Sequence, residues 1–384
     1  MDGIATRVQT ERAVEAVQPL VELLGTGLRI ERRGLRHRAA CDRYVQAQSN
    51  GTLFHLHGWM DAVCDVFPHE DCSLLALRGD EVAGVLPLCL IRSRLGGVML
   101  VSVPYAVAGG MLVRDEPARV ALWRAALRLA EETGAATIDL RCERGDAGAL
   151  RAGEAEAHGW RGVLGTHHVK FERVLPDTVD EVLGFLPRKA RAAARNGENK
   201  HGLTADFGTE HLRTVWRLYC RSMRRIGSIA YPLAFFEQLV SRFRRDAHVH
   251  VVRRRDGAPV GGLVSFRFGD TFLPYFAGCD ERFNHCQTNN VLYLAAMRRA
   301  VALGCRKFDF GRTRVDNRGS YDFKRFHGFL PTLLQYERWT RAGAEAVELS
   351  AGSGKFALAR RVWPYLPAGV CRRLSALLAP HIPG

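Results

Sequence analysis

The sequence predicts an α/β (α+β) protein made of two similar units in tandem, each a mixed sheet flanked by helices. Two observations predict this fold: one order of helices and strands occurs twice, and 384 residues exceed a single typical domain of roughly 150 residues. A hydrophobic fraction of 47% and a charged fraction of 25% are typical of globular proteins. Both units therefore have enough apolar material to bury a core.

The first unit begins with helical periodicity at residues 37–47 and 56–66. Short apolar runs between residues 73 and 105 then predict strands joined by turns. A helix from Pro117 to Gly134 and the strand ATIDLRC complete a strand, helix and strand. This order is typical of a crossover connection that covers a sheet with helices.

The second unit repeats this order. Helices from Thr209 precede three strands, and a polar loop leads into the helix VLYLAAMRRAVALG and the strand CRKFDFG. The repetition indicates a duplicated architecture. A strand order of this kind matches the acetyltransferase-like fold, in which two strands part to open a cleft for an acyl donor.

Four segments follow from these patterns. We expect an N-terminal extension at residues 1–36, peripheral and helical, a first unit at 37–173, a second unit with a basic linker helix at 174–340, and a C-terminal tail at 341–384. The tail alternates apolar clusters with arginine pairs, so it either packs on the second unit, which we favour, or touches a membrane surface. The linker, which carries Arg188 and Arg191, is either solvated or contacts an anion beside the interdomain cleft.

The charge balance favours anionic partners. Lys and Arg number 55 against 40 acidic residues, a net charge of +15, which fits an anionic small molecule, a lipid-linked precursor or tRNA rather than stable DNA binding. No apolar run approaches the ~20 residues that span a bilayer, and no signal peptide is evident. The prediction is a cytoplasmic protein, with a peripheral position at the inner face of the membrane left open through the tail.

Metal and disulfide sites are not expected. The ten cysteines form no CxxC pair, which argues against zinc and against a disulfide framework. His55 and His57 alternate along the chain, and no third ligand accompanies them.

The donor site of the fold is predicted at the start of the crossover helix, where free N–H groups face phosphates. In the second unit this position falls at residues 287–291, with Asn289 or Asn290 as a helix cap and as donor-binding residues. In the first unit, Gly109 and Gly110 either satisfy a turn that needs positive φ, which we favour, or allow close approach of a ligand. The loop CQTNN lacks the glycines usual for CoA, so acyl-CoA and aminoacyl-tRNA both remain possible donors, with no bound cofactor.

The run KFDFGRTRVDNRGSYDFKRFHGF, residues 307–329, carries the richest chemistry. Amide-forming acyl transfer needs an unprotonated amine and positive groups where the oxyanion develops. Asp309 alternates with two phenylalanines and so points to the opposite face of its strand. Arg312 and Arg314 follow at the strand end, where open sheets bind ligands. Lys324, among aromatic residues, either clamps a phosphate or carbonyl, or is a packed lysine on a strand.

These residues resemble the FemAB-related proteins, most closely the branch associated with PEP-CTERM/exosortase exopolysaccharide systems. Three stretches carry the resemblance, which spans about residues 43–339: TLFHLHGWMDAV, VAGVLPLCLIRSRLGGVMLVSVPY with the later Gly-Gly and IDLRCER, and FDFGRTRVDNRGSYDFKRFHGF. The resemblance implies two tandem GNAT-like domains whose cleft brings a donor to an amino group. The best-known members of the family add amino acids from aminoacyl-tRNA to peptidoglycan precursors.

The resemblance also nominates site residues. It implies that Lys324 lies near the transferred carbonyl beside Arg312, and that a first-domain loop and the end of a strand bind substrate. The catalytic candidates are Lys324, Arg312 and Asp309, and the substrate-binding candidates are Tyr105, Gly109, Gly110, Arg141, Arg314, Tyr321, Tyr275, Arg188 and Arg191. The chain departs from the family pattern at Thr313, which stands for Ser, and at His327, which stands for Trp.

The predicted function is transfer of an acyl or aminoacyl group to an amine on a cell-envelope or exopolysaccharide precursor. The chain would then be an N-acyltransferase or aminoacyltransferase. The alternative is a non-catalytic module whose basic cleft binds an anionic glycan or nucleic acid.

Overall fold

The computed structural model describes residues 21–23, 27–143, 152–344 and 357–383. The first half contains ten strands and four helices among the described residues. The strands are β1 (Val21–Leu23), β2 (Leu28–Arg32), β3 (Glu70–Asp71), β4 (Leu74–Arg78), β5 (Glu81–Leu86), β6 (Cys89–Ser93), β7 (Gly97–Val101), β8 (Leu112–Val113), β9 (Thr137–Cys142) and β10 (Trp160–Gly165). The helices are α1 (Arg38–Ala47), α2 (His57–Val66), α3 (Glu116–Thr133) and α4 (Ala152–Ala157).

The second half and the tail also contain both strands and helices. Their strands are β11 (His168–Val174), β12 (Thr204–Phe207), β13 (Ala247–Arg253), β14 (Pro259–Phe268), β15 (Thr271–Cys279), β16 (Lys307–Arg314), β17 (Leu330–Leu333) and β18 (Gln335–Arg341). The helices are α5 (Glu181–Phe185), α6 (Arg188–Arg195), α7 (Leu212–Arg225), α8 (Leu233–Phe243), α9 (Thr288–Ala302), α10 (Arg318–Phe326), α11 (Ala357–Val362) and α12 (Ala368–Leu378). A π-helical turn, Asn196–Lys200, extends α6.

The strands form three sheets, with the orders β1-β2-β4-β5-β8, β10-β18-β9-β7-β6-β3 and β12-β13-β14-β15-β16-β11-β17. Each half contains one parallel pair, β7 with β9 and β15 with β16, and the intervening helices α3 and α9 make the crossovers. The parallel pairing of β15 and β16 covers only Thr271–Phe272 against Lys307–Phe308, so the two strands separate beyond that point. This separation is the cleft that the repeated order predicts.

Two strands cross between the halves. β11 precedes the linker but pairs with β16 and β17 in the seven-stranded sheet. In return, β18 from the second half lies between β9 and β10 in the six-stranded sheet. Strand pairing therefore crosses the boundary predicted between residues 173 and 174. The seven-stranded sheet contains β11 from before this boundary, and the six-stranded sheet contains β18 from after it.

Two expectations about local structure are wrong. β2 lies inside the first sheet with Leu28 and Ile30 buried, so residues 28–32 are not peripheral, and β1 replaces the last part of the predicted helix. The segment that carries Lys324 is helix α10 and not a strand, because the Asn317 side chain caps its first turn by accepting a hydrogen bond from Ser320 N. The rest of the predicted N-terminal helix lies outside the described residues.

The two halves share one apolar core. Trp59 and Phe67 of the first half pack with Phe235, Val264 and Phe276 of the second. Burial of such large side chains is the main stabilising term, at about 25 cal/mol per Å² of apolar surface. In the described part of the chain, no helix is both long enough and apolar enough to cross a membrane.

Candidate active site

A carboxylate and lysine cluster lies on the face of the seven-stranded sheet that meets the first half. Phe308 and Phe310 pack in the core of the second half, while Asp309 between them lies on the other face and is 5% exposed. Asp309 Oδ1 accepts a hydrogen bond from Gly311 N at 2.8 Å, and Oδ2 lies 3.3 Å from Lys170 Nζ. Burial raises the pKa of the Asp309 carboxyl, although the Lys170 ammonium opposes that rise.

Lys170 is the centre of this cluster. Its Nζ also lies 2.7 Å from Glu143 Oε1 and 3.2 Å from Glu172 Oε2. Burial disfavours its charge, but the carboxylates, led by Asp309, outweigh burial and raise the pKa of Lys170. The lysine therefore stays protonated and holds the carboxylates in place.

The cluster lines a cavity of about 170 Å³ between the two halves. The first half contributes the loop that contains Thr52, together with Val107, and the second contributes the starts of β15 and β16. Lining side chains with ionisable groups are Glu143, Lys170, Glu172, Lys307 and Asp309. A small polar group, such as the amine of a substrate, fits a space of this size and character.

Arg312 lies three positions beyond Asp309 on β16. Its Nη1 donates to the Tyr336 hydroxyl at 3.3 Å, and that hydroxyl donates to the carbonyl of Val107, which also lines the cavity. Among the described residues, no ion pair neutralises the Arg312 guanidinium. An arginine with only neutral partners beside a cleft is suited to binding an anion or a developing oxyanion.

Lys324 is buried beneath this strand. Its Nζ donates to the carbonyls of Gly311 and Arg312 at 3.1 and 3.2 Å, and it lies over the rings of Phe171 and Phe310. Burial lowers the pKa of Lys324 to about 7. Because Gly311 has φ +69°, the strand bends here, and Lys324 fixes the bend that directs Arg312.

Arg141 is also close to Arg312, but its hydrogen bonds are internal. Its guanidinium donates to the carbonyls of Val103, Ala106 and Pro383 at 2.8, 3.2 and 3.1 Å. Burial, together with the nearby Arg312, lowers the pKa of Arg141. The residue therefore ties the first-half loop to the tail.

Tyr105 and Tyr275 meet at the same interface. The Tyr275 hydroxyl donates to the Tyr105 carbonyl at 2.6 Å, and Tyr105 has the unusual φ of +61°. Tyr105 N donates to Pro383 O at 2.7 Å, and its hydroxyl donates to Ala379 O at 3.0 Å. These bonds give Tyr105 a role in holding the loop and the tail.

Gly109 and Gly110 lie in that loop, but the explanation that we favoured, a turn that needs positive φ, is wrong. Neither has positive φ. A Cβ at Gly109 would lie 2.5 Å from Val103 Cγ1, and one at Gly110 would lie 2.8 Å from Cys142 Sγ. Gly109 is therefore required by close packing against Val103 within the loop, and Gly110 by close packing against Cys142 of strand β9.

The predicted donor-binding residues lie at the start of α9, but neither caps it. Gln287, with φ +65°, occupies the cap position, and no side chain completes the cap. Asn289 Oδ1 accepts from Cys279 Sγ at 3.0 Å, and Asn290 Nδ2 donates to Gln287 Oε1 at 2.8 Å. The linker covers this end of the helix, since a Cβ at Gly197 would lie 2.4 Å from a methyl group of Val291.

The remaining candidates lie apart from the cluster. Arg314 pairs with Asp316 at 2.8 Å on the surface, and Tyr321 packs edge-on against Phe171. Arg188 and Arg191 belong to α6, which packs through Ala190 and Ala194 into the core of the second half. The sequence did not reveal Lys170, Glu143 or Tyr336, because the elements that carry them meet only through the exchanged strands.

The two histidines considered as a metal pair have separate partners. His55 Nε2 donates to the Gly110 carbonyl at 3.0 Å, while His57 Nδ1 lies 3.0 Å from Asp42 Oδ1. Cys41, Asp42 and His57 offer ligand atoms within 4.8 Å of one another. Burial raises the pKa of the Cys41 thiol to about 11, so the thiol keeps its proton at neutral pH.

Comparison with known proteins bears on the fold. Residues 184–325 match the family model described as an acetyltransferase (GNAT) domain. FemX superimposes with a TM-score of 0.63 at 16% identity, over 78% of this chain and 95% of that one. The chain has the tandem GNAT fold. A tandem GNAT protein from the clavulanic acid biosynthesis pathway gives a TM-score of 0.54 at 14% identity, over 83% of this chain and 99% of that one.

A third solved structure is similar as well. It is the C-terminal domain of a putative lysylphosphatidylglycerol synthetase from Agrobacterium fabrum, with a TM-score of 0.52 at 11% identity, over 79% of this chain and 91% of that one. No curated protein sequence matches the chain significantly. The predicted fold class is thus confirmed, and at these identities the likeness establishes the fold alone.

Proposed function

We propose that the chain is an N-acyltransferase or aminoacyltransferase that acts at the cavity between its two GNAT units. One observation carries the proposal: Asp309 is a buried carboxylate, of raised pKa, that lines this cavity. A carboxylate of raised pKa is a better proton acceptor for an ammonium group than one in water. The acceptor amine would occupy the cavity.

The reaction can be written with these residues in named roles. Asp309 takes a proton from the acceptor ammonium, and the free amine attacks the donor carbonyl. As the C–N bond forms, Arg312 stabilises the oxyanion. The C–S bond of a thioester, or the C–O bond of an aminoacyl ester, then breaks, and the leaving sulfur or ribose oxygen takes up the proton that the attacking nitrogen releases as the amide forms. Lys324 acts as a positioning residue, because its Nζ holds the Gly311 and Arg312 carbonyls.

The substrate class rests on the FemAB resemblance and on the similarity to FemX. In this proposal the acceptor is an amine on a cell-envelope or exopolysaccharide precursor, as in the PEP-CTERM-associated branch, and the enzyme acts on it from the cytoplasm. Acyl-CoA and aminoacyl-tRNA are the two donor classes. The substrate contacts are assigned to Arg312 and to the cavity lining rather than to Tyr105 or Arg141, whose hydrogen bonds are internal.

The test is a transfer assay with the purified chain. Labelled acyl-CoA and labelled aminoacyl-tRNA are offered separately with amino-sugar lipid acceptors, and the amide product is measured by mass spectrometry. Asp309→Asn should lower the rate of product formation by about 10²-fold or more, while Glu237→Gln, which changes an exposed carboxylate on α8, should leave it unchanged. Absence of turnover with both donors, together with glycan or nucleic-acid binding that falls steeply with salt, would instead establish the binding module.

A further inference from the structure

The C-terminal helices expose apolar side chains that a packed tail would bury. Leu358 is 75% exposed, Tyr365 85% and Leu377 67%. On α12, Val370, Leu374 and Leu377 follow the spacing i, i+4, i+7, which places them on one side of the helix, with Val370 and Leu377 exposed and Leu374 half-buried between them. The exposed stripe is therefore a property of the helix and not a scatter of single residues.

A different side of α12 anchors it to the protein. Cys371 and Ser375 are buried, and Ser375 Oγ accepts a hydrogen bond from Ala230 N at 3.1 Å. Beyond the helix, Ala379 and Pro383 accept the bonds from Tyr105 and Arg141. The tail is thus fixed in place, so its outer stripe faces away from the molecule.

Arginines flank the apolar stripe. Arg373 follows Val370 by three residues, and α11 repeats the pattern with Leu358, Arg361 and Val362. Residues 357–384 contain four arginines and no acidic residue. We define the tail face as Leu358, Arg361, Val362, Tyr365, Val370, Arg373, Leu374 and Leu377.

A groove of about 700 Å³ adjoins the tail face. Val370, Arg372 and Arg373 form one side of it, and Trp216, Tyr231 and Leu233 lie among the residues of the other. The charged side chains that line a neighbouring space of about 530 Å³ are Glu281 and five arginines, Arg217, Arg221, Arg224, Arg225 and Arg372, and Arg221 pairs with Glu281. Apolar surface and positive charge therefore continue from the face into the body of the second half.

We propose that the tail face docks on an anionic phospholipid bilayer. Exposed apolar side chains enter the boundary between headgroups and acyl chains, and arginines pair with lipid phosphates. A second copy of the chain fits less well, because a two-fold contact would bring the same arginines together with no acidic residue of the tail to pair them. This inference is independent of the proposed reaction.

The proposal is tested by co-sedimentation of the full chain with vesicles. Vesicles of phosphatidylcholine and phosphatidylglycerol in equal parts should bind the protein, and pure phosphatidylcholine vesicles should bind it much less. Binding should weaken at high salt, because screening removes the contribution of the arginines. Val370→Ser with Leu377→Ser should reduce partitioning by at least about tenfold, since two apolar side chains leave the bilayer.

The matched control is Val163→Ser with Leu164→Ser, which removes two exposed apolar side chains from β10. The control should bind vesicles as the unmodified chain does, and circular dichroism checks that both doubly substituted proteins fold. Equal binding by the α12 variant, or no binding to the anionic vesicles, would overturn the proposal. A dimer in sedimentation velocity that the α12 substitutions dissociate would assign the face to self-association instead.

Discussion

The Arg141 guanidinium donates a hydrogen bond to the carbonyl of Pro383, at 3.1 Å and 242 residues further along the chain. The same guanidinium holds two carbonyls of the first-half loop. One buried side chain near the end of β9 thus joins two other segments: the loop that follows β7, which pairs with β9, and the tail. This arrangement explains why the tail packs on both halves of the molecule.

Replacement of Arg141 by alanine should destabilise the protein by about 3 kcal/mol, because the carbonyls of Val103 and Ala106 lose the guanidinium as a donor and that of Pro383 keeps only Tyr105 N. Urea unfolding measures this loss, and limited proteolysis should release the tail faster. Arg128→Ala removes an exposed arginine of α3 that pairs with Glu132, and should cost at most about 0.5 kcal/mol. Equal unfolding midpoints for the two variants would show that the buried bonds contribute nothing net.

Replacement of Lys324 by methionine should change how stability depends on pH. The pKa of Lys324 is about 7 in the folded protein, against about 10.4 in an unfolded chain. Between these values the unfolded chain binds the proton and the folded one does not. The stability of the unmodified protein relative to the variant should therefore rise with pH, by up to ~1.4 kcal/mol per pH unit between pH 7 and 10.

Urea unfolding at several pH values tests this slope, and Lys189→Met, an exposed lysine on α6, controls for the loss of one positive charge. Parallel stability curves for Lys324→Met and the unmodified protein would mean that the buried amine keeps its charge.

Replacement of Asp309 by asparagine should remove the acidic limb of the pH–rate profile. Because burial raises the pKa of this carboxyl, kcat/KM should rise with pH as the carboxylate loses its proton and becomes a base. In Asp309→Asn the rate should fall by about 10²-fold or more, and the remaining activity should lack that rise. An acidic limb that survives in the variant would assign the proton transfer to another group.

Two glycine substitutions should have opposite effects. Gly109→Ala places a Cβ 2.5 Å from Val103 Cγ1, and this overpacking should cost about 2 kcal/mol. Gly184→Ala lies in α5 with no atom within 4 Å of the new Cβ, and should stabilise the protein by about 0.5–1 kcal/mol through helix propensity. Thermal melts compare the two, and loss of stability in both would contradict the packing explanation.

Local patterns predicted much of the fold. The periodicity of residues 37–47 and 56–66 predicted α1 and α2 closely, and alternation placed Asp309 opposite its neighbouring phenylalanines. The segment around Lys324 was mistaken for a strand because Tyr321 and Phe323 alternate with polar residues. The cap at Asn317, which decides for a helix, is a single side-chain bond that composition does not reveal.

The candidate site could be predicted only in part, because it depends on contacts between distant segments. Lys170 meets Asp309 since β11 pairs with β16, and Tyr336 meets Arg312 since β18 returns to the first half. No periodicity encodes either pairing. The packed core as a whole determines which residues of two distant strands lie opposite each other. The positions of Lys170 and Tyr336 beside the site therefore could not be predicted from their local sequence.

The exchange of β18 also has a consequence for how a cell makes this protein. On the ribosome, β9 and β10 emerge early, but the strand that separates them arrives only with residues 335–341. At ordinary translation rates the nascent chain waits on the order of ten seconds with those two edges unpaired. Exposed edges invite pairing with other chains, so correct folding of the early half is governed by the timing of late synthesis.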